Sequence, residues 1–144
     1  MLFERIESRG LAHYSYIVGD ANQAVVIDPR RDCDIYVELA QREGMAISHI
    51  LETHRNEDLV VGSAELASRT GAEVRRSALD ELVYPFGARI ADGQELAVGQ
   101  LRLQALHTPG HTLGHMRLTG WAATWPDGWV PGSARVCRTS ALRP

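Results

Sequence analysis

The 144-residue chain contains no lysine: all fifteen of its basic residues are arginine, set against eighteen acids for a net charge of −3. That balance offers neither nucleic acid nor an anionic bilayer an electrostatic foothold, and the arginines are scattered rather than clustered. Cysteine is scarce too. Cys33 and Cys137 stand far apart, outside any CxxC or Cys/His pattern, which argues against a disulfide framework and fits a reducing compartment. No stretch approaches the roughly 20 apolar residues of a membrane helix. The opening Met1-Leu2-Phe3-Glu4-Arg5 lacks the basic-then-apolar order of a signal peptide. What is present, 44% hydrophobic and 23% charged residues, is ordinary for a globular domain able to bury a core. The expectation is one soluble, cytoplasmic domain with no nucleic-acid or membrane partner.

Hydrophobic periodicity organises residues 11–106. Tyr14-Ser15-Tyr16-Ile17-Val18 is rich in β-formers, and Gly19-Asp20-Ala21-Asn22 supplies turn chemistry. Ala24-Val25-Val26-Ile27 is a short continuous apolar run, as in a strand covered on both faces, and it stops at Asp28-Pro29. A helix capped by Asp32 or Asp34 runs to about Glu43, with Ile35, Leu39 and Ala40 on one face and Gly44 beyond its end. Ile47 to Leu51 reads as the next strand. A second helix, capped by Asp58, spans Leu59 to Thr70 with Val60, Ala64 and Ala67 as its apolar stripe. Ala72 to Val74 is a short strand and Pro85 to Gly93 mainly loop. Glu95-Leu96-Ala97-Val98 and Leu101 to Leu106 alternate around Gly99-Gln100, a hairpin. This order is that of a mixed sheet carrying helices, an α/β architecture. After Met116 the pattern stops: Pro126 and Gly128 interrupt the Trp121, Trp125, Trp129 spacing, so no helix is expected there.

Chemistry concentrates in Thr53-His54-Arg55-Asn56-Glu57-Asp58 and His107-Thr108-Pro109-Gly110-His111-Thr112. Each places a histidine where a strand-like run breaks into a turn. Neutral imidazole is the commonest protein ligand for zinc, iron and copper, and a strand end is rigid while the loop beyond it is open. Pro109-Gly110 forces a turn and removes bulk beside His111. His107 and His115 read as turn or surface residues, His13 and His49 as strand residues with local partners. The pairs Arg30-Arg31 and Arg75-Arg76 read as solvated.

With these segments in view, the chain resembles the metallo-β-lactamase superfamily. Ile50-Leu51-Glu52-Thr53-His54 followed by Asp58 is similar to that family's His-x-His-x-Asp-His segment. Thr108-Pro109-Gly110-His111-Thr112 resembles its next metal-binding histidine, and Val25-Val26-Ile27-Asp28-Pro29 its early buried-aspartate strand. The likeness spans residues 11–116 in order and spacing. It implies a partial αββα sandwich whose C-terminal half is incomplete. On that reading residues 1–116 are the domain and residues 117–144 an irregular or aberrant tail, the mark of a shortened or frameshifted terminus.

The resemblance implies His54 and His111 as metal ligands, with Asp58, Asp28 and Asn56 behind them. Asn56 and Leu59 stand where the family usually carries its second and third histidines. A carboxamide is a weak ligand and leucine is none, so two-metal hydrolysis loses most of its second site. The persulfide dioxygenases of the superfamily also resemble this chain. They hold one iron between two histidines and an aspartate, the arrangement of non-haem Fe(II) oxygenases. The Thr-His-Arg-Asn-Glu-Asp wording is similar to bacterial members carrying a rhodanese domain. The implied cofactor is Fe(2+), with Zn(2+) as alternative. The implied partner is a small-molecule thiol or persulfide such as glutathione persulfide, and a homodimer is an open assembly. That branch's aspartate has no supported counterpart: Asp127 lies in the turn-like Trp125-Pro126-Asp127-Gly128. The enzyme assignment therefore attaches to the lineage, with two of three ligands present here. The alternatives are a glyoxalase II-like zinc thioester hydrolase and a non-catalytic remnant of the fold.

Overall fold

The computed structural model describes residues 1–55, 61–80 and 86–122. Three strands open the chain as an antiparallel meander: β1 (Leu2–Ser8), β2 (His13–Asp20) and β3 (Gln23–Ile27). Helix α1 (Asp34–Arg42) then crosses over to β4 (Ala46–Glu52), and α2 (Ser63–Thr70) to β5 (Glu73–Ser77). These crossovers make β3, β4 and β5 parallel, and β6 (Ala88–Ile90) joins them in the same sense. The six strands lie in the order β1-β2-β3-β4-β5-β6. Strands β7 (Glu95–Val98), β8 (Leu101–His107) and β9 (Met116–Ala122) form a second, antiparallel sheet.

Strand β3 shows how one run serves two layers. Successive side chains point to opposite faces, so Ala24 and Val26 enter one core while Val25 and Ile27 enter the other. The first core packs the large sheet against the helices through Tyr36, Ala40 and Leu66. The second packs it against the small sheet through Leu96, Val98, Leu101, Leu103, Met116 and Leu118. The layers are helices, sheet, sheet, which is the expected mixed α/β sandwich. Gly44 and Gly71 end the helices in the left-handed region, at φ +65° and +74°, where a Cβ would be strained.

Several expectations change. Strand β1 was not anticipated, because its burial does not alternate: Leu2, Ile6 and Ser8 are buried and Phe3 to Arg5 exposed. Seven paired positions with β2 hold it. Strand β6 falls inside the segment read as loop; three residues are too few for a pattern, and parallel pairing with β5 supplies the order. Helix α2 begins at Ser63 rather than Leu59. Val61 is drawn into a bridge with Arg30, and Gly62 holds the N-cap position. Its buried residues are Ser63 and Leu66, while Ala64 is exposed. In α1 the N-cap is Cys33 and the fully buried residues are Tyr36 and Ala40. Arg76, read as solvated, is buried; its guanidinium donates to the Phe86 carbonyl and lies 5.1 Å from that ring.

The boundary after Met116 also moves. Strand β9 continues to Ala122, and all seven residues from Met116 are paired with β8. Met116, Leu118 and Gly120 are buried between half-buried Arg117 and Thr119. That period of two is short, and the tryptophans and prolines after it obscure it in the sequence. Asp127 lies outside the described residues.

Candidate metal centre

The site forms where the two sheets meet. Strand β4 delivers His54 just past its C-terminal end, and the connection from β8 to β9 carries His111. One backbone hydrogen bond joins the segments: the Met116 N–H donates to the Thr53 carbonyl at 2.8 Å. Within the connection, the Thr108 N–H donates to the His115 carbonyl at 2.9 Å and closes the loop that presents His111. The His54 and His111 rings come to 5.2 Å between centroids, edge to face. Their convergence, which the sequence alone could only suggest, is therefore achieved by folding.

Behind His54 lies a polar chain into the interior. Asp28, 1% exposed, follows β3 with φ +49°. Its own N–H donates to the Leu51 carbonyl at 2.8 Å, and its two oxygens accept from the Thr53 N–H and hydroxyl, each at 2.7 Å. Thr53, fully buried, keeps its hydroxyl oxygen 2.9 Å from His54 Nδ1. With the hydroxyl proton on Asp28, that oxygen accepts the Nδ1 proton and leaves the Nε2 lone pair of His54 free. A carboxylate or carbonyl fixing one imidazole nitrogen so that the other can bind a metal is a recurring support in metal sites. The expected backbone bonding of Asp28 is present, and its reach to His54 runs through Thr53.

Charge in the site is controlled by burial. The His54 pKa is lowered to about 4, first by desolvation and then by the neighbouring His115, His111 and His13. The imidazole is therefore neutral, the form that ligates, throughout the physiological range. Asp28 is pushed up to about 7, because burial outweighs the two Thr53 hydrogen bonds that favour its ionised form. A cation near His54 would draw it back toward ionisation.

His115 holds the expected turn and also stands beside His54. Read as a turn or surface residue, it is half-buried, and its ring stands 5.3 Å from that of His54. Its Nδ1 lies 3.0 Å from the Thr108 carbonyl and 3.1 Å from the Thr108 hydroxyl. The only available signal was its spacing of four from His111, which has no meaning until the loop closes. Other expectations stand. His107 Nε2 donates to the Leu113 carbonyl at 2.6 Å, a turn role. His13 and His49 sit in strands with Ser8 and Ser48 as partners, each at 2.9 Å. Asn56, Asp58 and Leu59 lie outside the described residues. A groove of about 1320 Å³ between β1 and α1, with Arg5, Arg9, Arg31 and Arg42 along it, contains none of the histidines.

A family model, the metallo-β-lactamase superfamily, matches residues 8–120. The chain belongs to this superfamily. The hydroxyacylglutathione hydrolase-like protein of Homo sapiens is 36% identical over 121 residues, covering 80% of this chain and 40% of that protein. Hydroxyacylglutathione hydrolase of Acidiphilium cryptum is 30% identical over 105 residues, covering 72% and 43%. The chain thus spans less than half the length of these relatives. Among solved structures, ETHE1 from Myxococcus xanthus superposes with a TM-score of 0.75 at 30% identity, covering 82% of this chain and 53% of that one. A metallo-β-lactamase from Staphylococcus aureus gives 0.79 at 28% identity, covering 85% and 39%.

Members of such a superfamily bind metal, and the donors here suit one. His54 is neutral with its Nδ1 engaged, and His115 Nε2 is buried with no hydrogen-bond partner among the described residues. Among the described residues no three His, Cys, Asp or Glu side chains stand ready-made as a metal-holding group. The described site is thus a pair of imidazoles, His54 and His111, with a third beside them.

Proposed function

We propose that this chain carries the metal-binding half of a mononuclear iron site of persulfide dioxygenase type, acting on a glutathione persulfide. The observation that carries the reading is the convergence of His54 and His111 with His54 held neutral and its Nδ1 occupied by Thr53. The residues at positions 56 and 59 support a single metal, since asparagine and leucine replace histidines that a two-metal site would use. A bound iron would supply open positions for dioxygen and the persulfide sulfur. The protein's part is to orient His54 through Asp28 and Thr53, and to present His111 on a loop pinned to β4. The overall reaction takes glutathione persulfide, dioxygen and water to glutathione and sulfite with release of two protons.

The second reading is a zinc-dependent thioester hydrolase of glyoxalase II type, favoured by the 36% identity to a hydroxyacylglutathione hydrolase-like protein. Anaerobic reconstitution of the full chain with Fe(II), followed by metal analysis and assay of sulfite from glutathione persulfide, separates the two. One iron per chain with sulfite formation that His54→Ala abolishes is the expected result. Two zinc ions per chain with S-lactoylglutathione turnover would establish the hydrolase instead. A chain that takes up neither metal would be a non-catalytic member of the fold.

A further inference from the structure

Strand β1 closes one end of the large sheet, and among the described residues no strand pairs with its outer edge. An open edge offers N–H and C=O groups to any strand that fits, so proteins commonly blunt it with proline, a bulge or short length. Strand β1 has none of these. Leu2–Ser8 runs seven residues without proline or glycine and pairs with β2 in unbroken register. The other edges differ: β6 has three residues and β7 four, and β9 adjoins residues outside those described. Apolar exposure gathers at β1 as well. Met1, Phe3 and Leu11, exposed by 60%, 40% and 50%, lie on or beside it, and only Leu79 and Leu113 match them elsewhere among the described residues.

Charges can also blunt an edge, and β1 carries Glu4, Arg5 and Glu7. Their order decides what they do. Leu2 and Ile6 face the helices. Phe3 and Arg5 face the other way, the Phe3 ring 6.1 Å from that of Tyr16 and the Arg5 guanidinium 4.9 Å from the Tyr14 ring. A second copy added antiparallel at this edge, with both helix layers on one side, must oppose residues of equal parity. A two-fold axis at Arg5 sets that arginine against itself, and an axis at Glu4 or Glu7 sets glutamate against glutamate. An axis at Ile6 sets Arg5 opposite the partner's Glu7, Glu4 opposite the partner's Ser8 and Phe3 opposite the partner's Arg9. Unlike charges directly opposite stabilise a strand pair and like charges destabilise it. Of these four registers, the one centred on Ile6 alone opposes no like charges.

We infer that β1 is a homodimer edge: two copies pair antiparallel through Leu2–Ser8 about an axis at Ile6, carrying the large sheet across both. The contact is isologous, so the Arg5–Glu7 pair forms twice. Exposed ion pairs contribute little each and mainly select the register. Main-chain hydrogen bonds of the added strand and the covering of Phe3 supply the attraction. The Arg30 guanidinium already donates to the Glu7 carbonyl at 3.3 Å. A carbonyl oxygen keeps a second lone pair, which a partner strand can use. Nothing in this inference depends on the histidine site.

Sedimentation velocity of the full chain from about 1 to 100 µM reads the association. The parent should form a dimer within that range. Arg5→Glu opposes glutamate to glutamate, and Glu7→Arg opposes arginine to arginine, so each should weaken dimerisation by about tenfold or more. Mixing R5E with E7R restores both unlike pairs, and the equimolar mixture should dimerise within about threefold of the parent. A parent that stays monomeric, a dimer indifferent to both changes, or losses that mixing does not repair would each overturn the inference. Both changes fall at exposed positions, and circular dichroism checks that the variants keep the fold. Should either variant not fold, hydrogen exchange in the parent decides the matter. Backbone amides of β1 that gain protection as concentration rises support the pairing, and unchanged protection refutes it.

Discussion

Substituting Asp28 by asparagine isolates the energetic consequence of a carboxyl group that is 1% exposed and pushed up to about 7 by burial. In an unfolded chain an aspartate gives up its proton near pH 3.9. Between about pH 4 and pH 7 the folded protein therefore holds a proton that the unfolded chain has released. By linkage, stability falls as pH rises through that window and levels off above it. About three pH units at about 1.36 kcal/mol each set an upper figure of about 4 kcal/mol. The Asp28→Asn protein has no such group and loses this dependence.

His54 works in the opposite direction. Its pKa is lowered to about 4, so its contribution is present at neutral pH and is lost as pH falls from about 6.5 toward 4. That contribution is common to both proteins and cancels in their difference. Guanidinium unfolding of metal-free parent and D28N, followed by circular dichroism from pH 4.5 to 7.5, gives the difference directly. The parent should lose stability relative to the variant steadily toward pH 7, by a few kcal/mol. A difference that stays flat with pH would refute the reasoning. It would mean that the two Thr53 hydrogen bonds outweigh burial and that Asp28 is ionised throughout.

Replacing Thr53 by valine keeps the backbone donor to Asp28 but removes the hydroxyl that reaches both Asp28 and His54 Nδ1. Metal affinity should drop by about 10–100-fold, as for other lost supports of a ligating imidazole, read by competition with a chromophoric chelator; an unchanged affinity sinks the role given to Thr53. A Cβ on Gly62 would stand 2.2 Å from the Arg30 carbonyl oxygen and 2.7 Å from Cys33 Sγ. Gly62→Ala should therefore cost about 1–3 kcal/mol or more in chemical denaturation, and a parent-like midpoint would show that the turn before α2 yields freely. Leu66, fully buried where α2 meets the large sheet, should cost about 2–5 kcal/mol on truncation to alanine; a loss below 1 kcal/mol would mean the helix is not anchored there.

Legibility followed the physics of each element. Strand β3 and the β7–β8 hairpin were readable because a continuous apolar run and a period of two report burial directly. Strands β1 and β6 were not. One has an irregular face and the other only three residues, and each exists because a neighbour supplies its hydrogen bonds. Arg76 looked solvated because its type predicts exposure, yet the Phe86 carbonyl and ring give it a buried place.

The amino-acid sequence by itself determined the two kinds of periodicity, the mixed sheet with its crossover helices, and the positions of His54 and His111 at the ends of strand-like runs. It also carried Asn56 and Leu59 at the two positions where the resemblance implies further histidines, since residue identity needs no coordinates. Tertiary structure decided which histidines meet. The Met116-to-Thr53 hydrogen bond joins residues more than sixty positions apart, and it sets His115 as well as His111 beside His54. Local pattern reports which way a side chain faces. Only sheet-to-sheet packing fixes what it faces.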